Sequence, residues 1–267
     1  MRRLLLTAAA LAPTLACAAR APLPAYAPEP APTLASAPTP APAPTPAPAL
    51  EPTLALEPAS APASAPTSYP LLDKPTCERE LLRRGVPFAP VDSARGVLAP
   101  VRLRGDLHGV SYHSGVPVAR RASSPWEIVD CRLVLALDDF AAQLSAHGIV
   151  EVVHYSMYRP PSASWPSGRL ASRHPGGLAI DAASFVKKDG ETLDVERDFH
   201  GRIGASTCGR GASQPLPATS AAVELHRIVC DAVDAGLFHV ALTPDFNWAH
   251  RNHFHLEVAT GRGQYVH

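Results

Sequence analysis

Residues 21–70 carry 16 of the chain's 30 prolines, with alanine filling most of the gaps, and this stretch decides how much of the chain can fold. Proline fixes φ and offers no backbone N–H to a helix or a ladder. Alanine supplies too little apolar bulk to repay the entropy of ordering. Residues 21–72 are therefore expected to form a disordered, polyproline-like Pro/Ala-rich tether, about fifty residues that would reach on the order of 150 Å. What remains, 73–267, is about 195 residues, which suits one compact domain with a sizeable core.

Ahead of the tether, Arg2 and Arg3 precede a short apolar run at 4–11 and the small residues Ala16-Cys17-Ala18. That layout predicts a secretion signal over residues 1–20. Two readings stay open at Cys17: cleavage before it with lipid attached to its sulfur, which would anchor the chain to a membrane, or ordinary cleavage near Ala18. Either places the protein outside the cytoplasm, in the periplasm, the cell envelope or beyond. Cys77, Cys131, Cys208 and Cys230 are an even set in an exported chain, which favours disulfides. Three pairings are possible, and Cys230 can also be read as a buried thiol in a helix. The 24 basic and 24 acidic residues cancel, and no basic stripe with interleaved aromatics occurs, so nucleic acid is excluded as a partner class. A monomer is expected.

Within the folded part, 73–85 reads as a helix capped by Asp73 or Thr76 and stopped by Gly85. Residues 133–147 carry an apolar stripe at helical spacing, closed by Gly148, and 219–235 repeat the pattern up to Gly236. Strands are predicted at 101–104 and 110–113, joined by a turn at Gly105 or Gly109, and at 149–158, 178–186, 238–242 and 254–258. Asp189-Gly190 reads as a hairpin turn. Residues 160–171 are a loop and 200–217 irregular. Long helices among hairpin-linked strands predict an α+β fold, a small antiparallel sheet flanked by helices.

Two runs carry chemistry. Ser172 to Asp181 reads S-x-H-x-x-G-x-A-x-D, and His250 to His255 reads H-x-x-H-x-H. On a strand, His253 and His255 point to one side and Phe254 to the other. Alone, such a pair more often marks a polar strand face. His174 and Asp181 change the balance, because Gly176 and Gly177 let the backbone bend between them. Asp181 lies in an apolar run, where a carboxylate needs a partner, and a metal ion is one. Two imidazoles and a carboxylate suit Zn2+, and three protein ligands leave a fourth position for water, as in catalytic sites.

These residues resemble the zinc metallopeptidase superfamily of D-Ala-D-Ala carboxypeptidases, murein endopeptidases and phage endolysins. The ending Asn247-Trp248-Ala249-His250-Arg251-Asn252-His253-Phe254-His255-Leu256 is similar to bacterial extensin-like C-terminal domains, a branch of that group. The resemblance spans roughly 73–267 and implies a fold like that of those peptidases and of Hedgehog domains. It implies Zn2+ on His174, Asp181 and His255, with His253 as general base and His250 as the competing candidate. It implies that Arg159 holds a substrate carboxylate or an oxyanion; the other reading is a surface arginine beside two prolines. Ser172 either steadies the site or is a plain loop serine. In that group a cysteine stands before the arginine; here it is Tyr158, and its upstream partner near Val97 is missing too, so one disulfide is lost as a pair. The implied function is zinc-dependent hydrolysis of peptidoglycan stem peptides, as a D,D-carboxypeptidase or endopeptidase. The alternative is a non-catalytic, zinc-containing module that binds or scaffolds the cell wall. His154, His200, His226 and His239 lack ligand spacing and are expected to be surface or half-buried histidines.

Overall fold

The computed structural model describes residues 68–260 and 263–267. The expected secretion signal, Cys17 and the Pro/Ala segment through residue 67 lie outside the described residues. Folded packing reaches back further than residue 73. Pro70 is buried, and the Tyr69 hydroxyl donates to Asp139 (2.5 Å) and accepts from Arg84 (2.7 Å).

The first helix, α1 (Lys74–Arg84), starts where Asp73 accepts from the Thr76 N–H and stops at Gly85, which takes the left-handed conformation that a Cβ disfavours. Strands β1 (Phe88–Pro90), β2 (Pro100–Leu103) and β3 (Ser111–Ser114) follow, then the short α2 (Val118–Arg121) and β4 (Val129–Asp130). The long α3 (Cys131–Ala146) leads into β5 (Ile149–His154). After the loop come β6 (Ala179–Lys187), β7 (Thr192–Asp194), the short α4 (Val195–Asp198), α5 (Ser220–Asp234), β8 (Val240–Leu242), β9 (Phe254–Glu257) and β10 (Tyr265–Val266).

The architecture is α+β, as expected, but its sheet is neither small nor wholly antiparallel. Seven strands form one mixed sheet in the order β10-β8-β9-β6-β5-β3, with β7 beside β6. The outer pairs β3–β5 and β8–β10 are parallel. The predicted link between β2 and β3 is not a hairpin: β2 pairs with β1 and β4 in a separate three-stranded sheet. The Asp189-Gly190 turn does close the β6–β7 hairpin.

One face of the large sheet is dry. Ile180, Ala182, Phe254 and Leu256 lie in one buried cluster with the stripes of α3 and α5. Phe140 of α3 meets Phe238 edge-on at 5.4 Å, and Phe254 packs on Phe185 and Phe199. The strand period of two then sends Asp181 and His255 to the opposite face. Two disulfides secure the domain: Cys77–Cys131 joins α1 to the start of α3, and Cys208–Cys230 ties a loop to α5. Cys230 is therefore bridged and not a free thiol. Where the resemblance implied a missing disulfide, Tyr158 and Val97 share a small apolar cluster, and the Tyr158 hydroxyl donates to the Arg95 carbonyl. Among the described residues, no helix is long and apolar enough to cross a membrane.

Candidate metal centre

Antiparallel pairing of β6 with β9 sets Asp181 directly opposite His255. Opposed residues on a ladder project to the same face, so the backbone register alone joins two side chains 74 positions apart. His174 arrives from a 3-10 turn, His174–Gly176, just ahead of β6. The turn is tight because two glycines make it so. A Cβ on Gly176 would strike the Ala171 carbonyl, and one on Gly177 (φ +65°) would come within 2.8 Å of the Asp130 N–H. Asp130 is itself an anchor. Fully buried, it caps α3, grips Arg132 through two oxygens, accepts from the N–H groups of Leu98 and Ala99, and donates its own N–H to Gly177.

Three atoms converge: His174 Nε2, Asp181 Oδ1 and His255 Nδ1, separated by 2.9, 3.0 and 3.1 Å. All three residues are buried, and this trio has the ligand-atom spacing of a metal site. The donors' chemistry tests the fit. His174 Nδ1 lies 3.2 Å from the Met157 carbonyl, which can only accept, so Nδ1 carries the proton and Nε2 presents a lone pair. Burial further disfavours a second proton on His174 and holds its pKa below the ordinary value. Burial also works against ionised Asp181, but the imidazoles of His174 and His255 outweigh it and hold the carboxyl far below its usual range. Burial likewise opposes a charge on His255, yet Asp181 and Glu257 overcome it and raise its pKa. Without a metal, then, the proton on His255 Nδ1 is left to hold three electron-pair atoms together. That is the place a cation would take. The spacings are slightly tighter than the roughly 3.3 Å edge of a tetrahedron whose ligands lie about 2.0–2.1 Å from zinc. The residues present fit a zinc ion.

The remaining expected residues gather around this trio. His253 Nε2 lies 3.4 Å from the same Asp181 oxygen, and its Nδ1 donates to Asn252 Oδ1 at 2.8 Å. Burial drives its pKa down to about 4, helped by His250 and His255. His250 donates Nδ1–H to Asn247 Oδ1 at 2.8 Å and stands further out, its ring 5.2 Å from that of His253. Burial, then the neighbouring His255, lowers its pKa too. Both histidines thus present an unprotonated Nε2 at neutral pH. Arg159 donates Nη2–H to the outer oxygen of Asp181 at 3.1 Å while its side chain stays 55% exposed. Ser172 lines the cleft and accepts from the Gly176 N–H through its backbone carbonyl, but its hydroxyl makes no hydrogen bond to a described residue.

Two features escaped the sequence reading. Glu257 is 4% exposed and sits beside His255 Nε2; the alternation His253, His255, Glu257 was the signal that could have found it. Arg173 adopts φ +53°, ψ −145° immediately before His174, a conformation that costs a non-glycine residue of order 1–3 kcal/mol. The expectation of surface or half-buried histidines fails for three of four. His154, His226 and His239 are buried, because β5, α5 and the bend ahead of β8 turn them into the core. His226 stacks on Phe199 at 4.1 Å, and His154 lies 3.6 Å from Glu127. None of them belongs to the trio.

A cleft of about 1260 Å³ opens over the centre. Arg132, Arg159, Arg169 and Arg173 are among its lining residues, together with the apolar Val240, Leu242 and Phe246. No curated protein and no solved structure matches the chain. The family model described as extensin-like protein C-terminus matches residues 97–266, more than half of the sequence and every residue of this centre. The chain thus belongs to the extensin-like protein C-terminus family.

Proposed function

We propose that His174, Asp181 and His255 hold a zinc ion and that the domain is a metallopeptidase acting on peptidoglycan stem peptides, as a D,D-carboxypeptidase or endopeptidase. The observation that carries this reading is the convergence of three electron-pair atoms within 2.9–3.1 Å in a buried pocket that opens on a cleft. Bound zinc supplies Lewis acidity toward a carbonyl and a water activated near neutral pH.

This chain's own groups do the rest. His253, with its Nε2 free of a proton above about pH 4, takes a proton from the attacking water and returns it to the leaving amine. Asn252 fixes its ring by accepting from Nδ1. His250 stands close enough to share that proton traffic. Arg159 is anchored by Asp181 but exposed enough to meet a substrate carboxylate or an oxyanion. The cleft's arginines outnumber its two carboxylates, Asp181 and Glu257, both buried. An anionic peptide suits that balance. The signal-like residues 1–20 and the Pro/Ala segment support export and a tethered position at the envelope, with lipid on Cys17 as one means of attachment.

Incubating the protein with purified sacculi, with and without a chelator, and weighing the released fragments by mass spectrometry tests the reading. Chelator-sensitive release of cleaved stem peptides is expected. A second reading, a zinc-bearing module without chemistry, draws on the 3.4 Å approach of His253 to Asp181, since a fourth imidazole on the metal would close the site. His253→Ala separates the two: it keeps zinc but loses hydrolysis if His253 is the base, and binds zinc more weakly if His253 is a ligand.

A further inference from the structure

Glu257 is a buried carboxylate with a sparse surrounding. On its face of the sheet it stands between Ala179 and Val240, neither of which can donate a hydrogen bond from its side chain. Two cationic or donor groups reach its Oε2: His255 Nε2 at 3.5 Å and Arg173 Nε at 3.6 Å. The arginine side chain is 65% exposed, and exposed ion pairs of that length contribute little. The imidazole is the interior partner. At that separation Oε2 is placed to accept a hydrogen bond from His255 Nε2–H.

That assignment has a consequence at the other end of the ring. His255 Nδ1 is the atom that meets His174 and Asp181. Holding a proton on Nε2 leaves Nδ1 to give up its own when a metal arrives, and raises its basicity as a ligand. The strand sets the arrangement, because residues two apart share a face. Glu257 Oε2 also lies 3.6 Å from Nε of Arg173, the residue that precedes His174.

We propose that Glu257 is a positioning residue that locks the ring and tautomer of His255, so that Nδ1 is presented to the metal. This rests on the zinc centre proposed above.

The experiment measures zinc affinity of the full chain by competition with a chromophoric chelator, for the wild type, Glu257→Gln and Glu257→Leu, alongside melting of each protein in excess chelator. The dissociation constant is expected to rise by about ten- to a hundredfold in Glu257→Leu and by less in Glu257→Gln, which retains a neutral acceptor. Affinities within about twofold of a tightly binding wild type would overturn the positioning role alone. Failure of the wild type to bind zinc would overturn the metal centre itself, and this inference with it. Long-range proton–nitrogen NMR of zinc-loaded wild type gives a reading independent of how the variants fold. A proton on His255 Nε2 supports the assignment, and one on Nδ1 overturns it.

Discussion

Replacing His253 by glutamine should flatten the acid sensitivity of the metal-free domain. The ring is mostly buried, it sits among His250, His255 and His174, and its folded-state pKa falls to about 4 from an ordinary 6.5. The sign follows directly. Between those values the unfolded chain binds a proton that the folded chain refuses, so stability is present above pH 6.5 and is lost as pH falls toward 4. Going from about pH 7.5 to 4.5, a single group with these two pKa values loses roughly 2.5 kcal/mol, and solvent at its exposed edge reduces this to roughly 2. Glutamine is of similar size and does not titrate. Urea unfolding in excess chelator at the two pH values supplies the assay. The wild type should lose roughly 2 kcal/mol more than His253→Gln over the interval, the other buried histidines being common to both. Parallel losses in the two proteins would refute the claim that His253 is held neutral by burial, and with it the readiness of Nε2 to accept a proton.

Zinc at about 100 to 1,000 times its dissociation constant should stabilise the wild type by about 3–4 kcal/mol, raising the melting temperature of a domain this size by roughly 5–15 °C; His255→Ala should show no such rise in the same thermal scan. Phe254→Ala empties a fully buried site between Phe185 and Phe199, and should cost about 3–5 kcal/mol by urea denaturation. Replacing both Cys77 and Cys131 by serine opens a loop of 54 residues and should cost about 4 kcal/mol on the chain-entropy argument, read from the same denaturation curves.

The long elements were legible because their signals are local. Asp73 and Gly85 frame α1 as cap and stop, and the stripes at 133–147 and 219–235 became α3 and α5. The pairing of strands was less so. Nothing in the alternation of 101–104 and 110–113 says that β2 and β3 enter different sheets, since that depends on β4 and β5 arriving later in the chain. The two-residue β4 and β10 are too short to show a period at all. At the site, spacing brought forward His174, Asp181, His253 and His255, and the structure gathers the three histidines around one oxygen of Asp181. Glu257 was passed over because a glutamate on a strand usually faces water, and its burial comes from β6 and β8 on either side. His154 was misjudged for a similar reason: its burial comes from the neighbouring β3 and β6, which flank β5.

The carboxylate and one imidazole of the centre hang from β6 and β9, which lie in the middle of the seven-stranded sheet with partners on both sides. Interior strands are the last to exchange their amide protons, because freeing them requires opening the whole sheet. Removing the zinc ion proposed for this centre would thus leave its seat standing. Many small zinc proteins unravel when chelated and must refold around the next ion; with the zinc proposed above, this scaffold would be expected to keep its paired strands through chelation and reloading.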